Sequence, residues 1–266
     1  GNSNVALGTE ALLNNTIGNF NTAGGVNALN NNSIGNYNTA NGFAALYNNS
    51  TGIQNTAVGS NALYNNTTPE ELTAIGSRAL ESNTTGWHNT ATGASALSKN
   101  TTGRGNTANG CYTLFNTTLG NENTGSGFNA LYTNTTGSYN SIYGYESMYS
   151  NSTGSYNTAL GHQSLYNSRS DSNIAIGHKS LYSNIISPFF PANANVAIGI
   201  STLYYNINGR DNIAIGTNSL YANQNGSYNT GIGKNALKNN FNGYNNTANG
   251  SNALLNNNDG SYNTAI

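Results

Sequence analysis

The chain has 266 residues and a net charge of -1, and Asp, Glu, Lys and Arg together make up only 6% of it. Eight basic residues cannot create a cationic field, which excludes nucleic acid as a partner. No apolar run reaches the roughly 18 residues of a membrane span, so we expect no membrane insertion in this segment. The single cysteine, Cys111, cannot form an internal disulfide.

A 17-residue unit fills the chain, with fifteen copies and a final fragment, and its consensus is G-x-Y-N-T-A-I-G-x-x-A-L-Y-N-N-T-T. We number these residues as repeat positions 1 to 17. Position 8 is Gly in every complete copy, position 12 is Leu except at Met148, and position 4 is Asn except at Leu72. The spacing loses one residue near Arg169 and gains five after Asn184. The sequence thus predicts one repeat array over residues 1–266, with a loop inserted at 185–191 in the eleventh coil.

Within each unit, N-T-A-I-G alternates as a strand does, with Asn, Ala and Gly on one face and Thr and Ile on the other. The stretch x-A-L-Y-N predicts a second short strand, and Asn-Asn-Thr-Thr-Gly is turn chemistry. Glycine at positions 1 and 8 permits a positive φ at the corners. The pattern predicts an all-β fold: a parallel β-roll, or β-solenoid, with one 17-residue coil per repeat, hence 15 coils and a partial one. Neither end carries a capping unit, so we expect a segment of a longer fibre.

The predicted interior is thin, because Ala and Gly occupy positions 6 and 8 and Leu at position 12 is the one bulky core residue. Asn at position 4 is in phase with these small residues. We expect a ladder in which its amides bond along the stack, and a binding surface is the alternative.

Positions 5 and 7 point away from this thin core, yet they are often apolar in the C-terminal half. Such a face is expected to meet another copy of the chain in a homotrimer or filament. The candidate inter-chain face consists of Ile174, Ile176, Val196, Ile198, Ile213 and Ile215.

The unit Asn195-Val196-Ala197-Ile198-Gly199 resembles the N-[ST]-[VI]-A-I-G motif of trimeric autotransporter adhesin heads (YadA-type), as do the units at 173–177 and 212–216. The resemblance implies a left-handed parallel β-roll, a trimeric adhesive head and an extracellular or cell-surface location. The 17-residue unit is also similar to repeats of phage-like tail fibres.

Several further features are candidate sites. The inserted loop is a candidate partner contact through Ile185, Ile186, Pro188, Phe189, Phe190 and Pro191. Tyr recurs at positions 3 and 13, which predicts stacked columns that stiffen the coil or bind carbohydrate. Sequons recur at one corner, and either make turns or carry glycans; the candidate asparagines are Asn14, Asn31, Asn48, Asn49, Asn65, Asn66, Asn83, Asn100, Asn116, Asn134 and Asn151.

Catalysis, a cofactor and a metal find no support in the sequence. The acidic residues are scattered, and adjacent Glu70 and Glu71 fall in a turn, where a solvated corner is the simpler interpretation. His162 and His178 share position 9 and are expected to stack about 5 Å apart, but no third ligand accompanies them.

The sequence therefore predicts a structural and adhesive fibre, not an enzyme, that acts by many weak contacts with itself, host glycans or surface proteins. The alternatives are a phage or virus-like tail-fibre shaft and an ice- or carbohydrate-binding solenoid. The ice hypothesis depends on a column of Thr at position 5.

Overall fold

A computed structural model describes residues 1–184 and 194–266. The chain is an all-β parallel β-solenoid of about 15 turns with about 17 residues each, as predicted, and the described residues contain no helix. Each coil has a short strand at positions 5 to 7, where in most coils a buried Ala lies between two outward residues. The coils form two compact units, Gly1–Gly137 and Ser138–Ile266.

In the first unit, every strand pairs in parallel with its counterpart in the next coil, and equal repeat positions face each other. Seven of these eight strands begin with β-branched Thr, which suits a pleated, half-buried surface. The strands are β1 (Val5–Leu7), β2 (Thr22–Gly24), β3 (Thr39–Asn41), β4 (Thr56–Val58), β5 (Thr73–Ile75), β6 (Thr90–Thr92), β7 (Thr107–Asn109) and β8 (Thr124–Ser126).

The second unit keeps this register across both breaks in the spacing. Thr158 pairs with Ile174, and Ile174 pairs with Val196, so equal repeat positions still face each other. The unit contains β9 (Ser141–Tyr143), β10 (Thr158–Leu160), β11 (Asn167–Ser168), β12 (Ile174–Ile176), β13 (Ser183–Asn184), β14 (Val196–Ile198), β15 (Ile213–Ile215), β16 (Thr230–Ile232), β17 (Thr247–Asn249) and β18 (Thr264–Ala265). Only β11 and β13 form a second, two-stranded sheet.

The predicted second strand at x-A-L-Y-N is wrong, because this stretch is a turn with left-handed backbone at positions 10 and 12. Leu29 has φ 50° and Leu46 has φ 51°, and Asn27 and Ala44 are also left-handed. The turn is still tied to the next coil, since the N–H of Leu29 donates to the carbonyl of Ala45 at 2.9 Å. Left-handed leucine costs roughly 1–2 kcal/mol per residue. Its side chain thereby enters the core, where Leu29 and Leu46 have no exposed surface.

The predicted asparagine ladder at position 4 is confirmed. Asn38 is fully buried, and its Nδ2 donates to the carbonyl of Gly52 in the next coil at 2.8 Å. Its Oδ1 accepts the backbone N–H of Asn55 at 3.0 Å, and its own N–H donates to Asn21 Oδ1 at 3.0 Å. Each amide therefore satisfies buried backbone groups of the neighbouring coil.

Position 15 carries a second buried asparagine ladder, which the sequence analysis took for turn chemistry. Asn49 Nδ2 donates to Asn32 Oδ1 at 2.8 Å and to the carbonyl of Gly52 at 3.0 Å. Where Thr117 replaces Asn at this position, the Oδ1 of Asn100 is buried without a partner. The two ladders thus fix both ends of the corner that contains positions 16, 17 and 1 to 3.

Glycine at position 8 has the expected positive φ, whereas glycine at position 1 does not. Gly42 has φ 139°, and a Cβ there would lie 2.6 Å from the Gly59 carbonyl oxygen. At position 1 the constraint is space, because a Cβ on Gly35 would collide with the Gly52 carbonyl oxygen. Pro69 occupies this position in one coil, and there the bond from Asn66 Nδ2 to its carbonyl lengthens to 3.5 Å.

Candidate functional site

The outward faces of β9 to β16 form a continuous apolar surface in the second unit. Position 7 contributes Tyr143, Leu160, Ile176, Ile198, Ile215 and Ile232, and position 5 contributes Ile174, Val196 and Ile213. We call these nine residues the apolar strand face. Strand spacing makes the position-7 column roughly 24 Å long. Leu160 is 50% exposed and Ile213 41%, and all nine side chains are exposed or half-buried.

The structure brings together all six residues of the predicted inter-chain face. Ile174 pairs with Val196, and Val196 pairs with Ile213, while Ile176, Ile198 and Ile215 form the neighbouring column. Tyr143, Leu160 and Ile232 extend that column but were missed. The same recurrence of apolar residues at position 7 would have predicted them. The prediction included only coils that also have an apolar residue at position 5.

Charge is absent from this surface, because no position-5 or position-7 residue of β9 to β17 is Asp, Glu, Lys or Arg. The strands lie in a hydrogen-bonded parallel sheet, so contact here must come from side-chain packing rather than strand addition. A contiguous, uncharged apolar surface is typical of a protein–protein contact.

The equivalent face of the first unit is mixed. Its position-7 residues include Asn41, Thr92 and Asn109 among Val58 and Ile75. Its position-5 column in β2 to β8 is entirely Thr. The apolar part of the outward strand faces is therefore concentrated in residues 138–266.

The candidate sequons fall into two groups with different access. The position-15 group lies in the buried ladder with no exposed surface, and comprises Asn49, Asn66, Asn83, Asn100, Asn134 and Asn151. The position-14 group is exposed or half-buried, and comprises Asn14, Asn31, Asn48, Asn65 and Asn116. In this group Asn14 Nδ2 donates to Asn31 Oδ1 at 2.9 Å, so even the accessible amides are partly engaged. A transferase acting on the folded coil would reach only the position-14 group.

Tyrosines at position 13 form a stack in the second unit, which we call the tyrosine stack. It contains Tyr149, Tyr166, Tyr182, Tyr204 and Tyr221, with successive ring centroids 4.9 to 5.4 Å apart. Burial raises the pKa of Tyr166, Tyr204 and Tyr221 above the usual value, and neighbouring ionisable groups add to this. The ring faces pack on one another, so only their edges and hydroxyls remain for a ligand, which supports the stiffening role.

The predicted histidine pair is also found, with the rings of His162 and His178 5.2 Å apart and Tyr145 stacked on His162 at 5.0 Å. Burial, followed by the charges of His162 and Lys179, lowers the pKa of His178. Within residues 1–184 and 194–266, no group of three or more His, Cys, Asp or Glu side chains is placed to hold a metal. Cys111 is half-buried.

The candidate contact loop at 185–191 lies outside the described residues. In the described part of the chain, no helix has the length and hydrophobicity needed to cross a bilayer. Comparison with protein-family models and with curated proteins gives no match for this chain. The fold therefore defines the class of protein, a parallel β-solenoid repeat array.

Proposed function

We propose that the chain is a structural and adhesive segment of an extracellular or cell-surface fibre, in which copies associate through the apolar strand face. The observation that carries this proposal is the nine-residue, uncharged apolar surface on neighbouring strands of the sheet. The resemblance of the chain's repeat to trimeric autotransporter adhesin heads favours a homotrimer. An open filament or a tail-fibre shaft would use the same surface.

The energetics are consistent with association. Covering the remaining exposed surface of each of these nine side chains contributes roughly 1 kcal/mol. The sum is comparable to the cost of bringing chains together, which is about 4–15 kcal/mol. Repetition along a fibre multiplies the contacts, so weak binding at each coil adds up as avidity.

Sedimentation velocity of the full chain tests this proposal. The double variant Ile176→Asp with Ile198→Asp places two carboxylates on adjacent strands of the face, and burying them unpaired is costly. We expect association to weaken by at least about a hundredfold.

The matched control is Thr92→Asp with Asn109→Asp. These residues have the same repeat position and are also paired on adjacent strands, but both are polar and lie on the mixed strand face of the first unit. The control should associate like the unaltered chain. Equal effects of the two double variants would contradict the proposal.

A second candidate function is ice binding, supported by the seven consecutive position-5 threonines of β2 to β8. Position 7 beside them changes from Gly24 to Ile75 to Ser126, whereas a lattice-matching face needs both columns regular. A thermal-hysteresis measurement distinguishes ice binding from the fibre function. Ice binding predicts a lowered freezing point without association of chains.

A further inference from the structure

A pocket of about 470 Å³ opens at the corner of the first unit and is lined by Thr68, Pro69, Glu70, Thr85, Trp87 and His88. This volume lies within the range of small-ligand sites. Trp87 is the only tryptophan of the chain, and its side chain is 40% exposed. The pocket therefore presents the largest aromatic ring of the protein to solvent.

The Trp87 ring lines the pocket and packs against two neighbouring side chains. The Arg104 guanidinium of the following coil lies over the ring, 5.4 Å from its centroid, and Arg104 does not line the pocket. His88 packs edge-on against the ring with centroids 4.3 Å apart. Its Nε2 lies 2.9 Å from Glu71 Oε2, which holds the imidazole in place. Arg104 and His88 thus both pack against the Trp87 ring and hold it in position.

At this corner the chain lacks a hydrogen bond that links adjacent coils elsewhere in the repeat. In several other coils a position-2 side chain accepts the N–H of position 2 in the preceding coil, as Asn36 Oδ1 does from Asn19 at 2.8 Å and Ser261 Oγ from Tyr244 at 3.1 Å. Trp87 has only a donor, so it cannot accept this bond from Glu70.

Two further departures lie in the coil that contains Glu70. Pro69 replaces the position-1 glycine, and Leu72 is the one interruption of the position-4 asparagine column. Pro69 and Leu72 therefore depart from the repeat one coil before Trp87, which is itself a third departure. A corner that departs from the repeat at several positions is a candidate ligand-binding site.

The chemistry of the pocket fits an uncharged sugar. The C–H face of a pyranose packs on an aromatic ring, and its hydroxyls donate to carboxylates and exchange hydrogen bonds with threonine hydroxyls. Glu70 and Glu71 disfavour acidic sugars by like-charge repulsion. The Arg104 guanidinium that already lies over Trp87 repels a second cation on the ring, which disfavours a cationic ligand.

We propose that the Trp87 pocket binds an uncharged pyranose, with the ring stacked on Trp87 and its hydroxyls held by Glu70 and Thr85. The proposal deepens the adhesive part of the proposed function and rests on it. It does not depend on the apolar strand face, which lies in the other unit.

Titration of the full chain with a panel of neutral methyl glycosides and oligosaccharides tests the site. Because Trp87 is the only tryptophan, its emission reports directly on stacking. We expect a saturable emission change with at least one sugar, and Glu70→Gln should weaken that binding by about tenfold.

Calorimetry measures the same sugar with Trp87→Ala, for which we expect at least about a tenfold loss. The matched control is Tyr244→Ala, which removes an exposed aromatic ring at the same repeat position in another coil. The control should bind like the unaltered chain, and the thermal melt of each variant checks its fold.

Three results would overturn the site: no sugar binding up to about 10 mM, equal losses in the Tyr244 control, or binding of choline in place of sugars. Sedimentation of the same samples separates the two proposals. If the unaltered chain associates but binds no sugar, only the sugar site is contradicted. Sugar binding by a chain that never associates contradicts the fibre.

Discussion

Replacing Asn38 by alanine should open the solenoid locally, because this one side chain satisfies backbone groups of the next coil. The N–H of Asn55 loses its acceptor, Asn38 Oδ1 at 3.0 Å, and becomes a buried unsatisfied donor. The carbonyl of Gly52 loses the 2.8 Å bond from Asn38 Nδ2 but keeps the one from Asn49. Leaving one buried donor unsatisfied and losing a second bond costs roughly 2–4 kcal/mol.

Hydrogen exchange at the Asn55 amide is the appropriate assay, since repeat arrays open locally rather than in one step. A loss of about 2 kcal/mol accelerates exchange by about 30-fold or more. The matched control is Asn41→Ala, in the same coil but on the exposed face. Unchanged protection of the Asn55 amide in Asn38→Ala, or an equal acceleration in the control, would refute the structural role of the ladder.

Three further perturbations are read by thermal or chemical unfolding. Gly42→Ala combines a φ of 139° with a Cβ 2.6 Å from a carbonyl oxygen and should cost roughly 2–4 kcal/mol, whereas Gly24→Ala, with its nearest contact at 3.5 Å, should be nearly neutral. Leu131→Ala empties a fully buried core position and should cost about 2–5 kcal/mol, against at most about 0.5 kcal/mol for exposed Leu119→Ala. In the tyrosine stack, burial raises three pKa values, so the fold favours neutral phenols. That stability is present below about pH 10 and is lost as pH rises further, and Tyr204→Phe should lessen the loss in melting temperature between about pH 8 and 11.

The sequence predicted those parts of the coil in which one residue type recurs for one physical reason. Ala between outward Thr and Ile predicted the strand at positions 5 to 7, and Asn in phase with Ala predicted the buried ladder of Asn38. Both patterns follow from the alternation of a strand, and both are confirmed.

The turn at positions 10 to 12 could not be predicted from the alternation of residue types. Leu and Tyr have no preference for left-handed backbone, so the apolar pattern indicated a strand. Packing of Leu29 into the core overrides that local preference, at a cost that the stacked hydrogen bonds of the turn offset.

The sequence does contain a signal for the position-15 ladder, but the many other asparagines of the chain obscure it. Position 15 is Asn in thirteen of fifteen coils, whereas position 14 beside it varies widely. This difference distinguishes an inward-facing column from turn chemistry. The Trp87 pocket had a signal as well, since Pro69, Leu72 and Trp87 all depart from the repeat within two coils. What the sequence lacked was the placement of Arg104 and His88 around the ring.

The mass of the unaltered chain in solution, measured by light scattering over a dilution series, tests the central claim most directly. We expect three chains of 27.7 kDa, or a longer open assembly, and dissociation to a single chain only on strong dilution. A chain that remains a stable 27.7 kDa monomer at high concentration would contradict the role assigned to the apolar strand face.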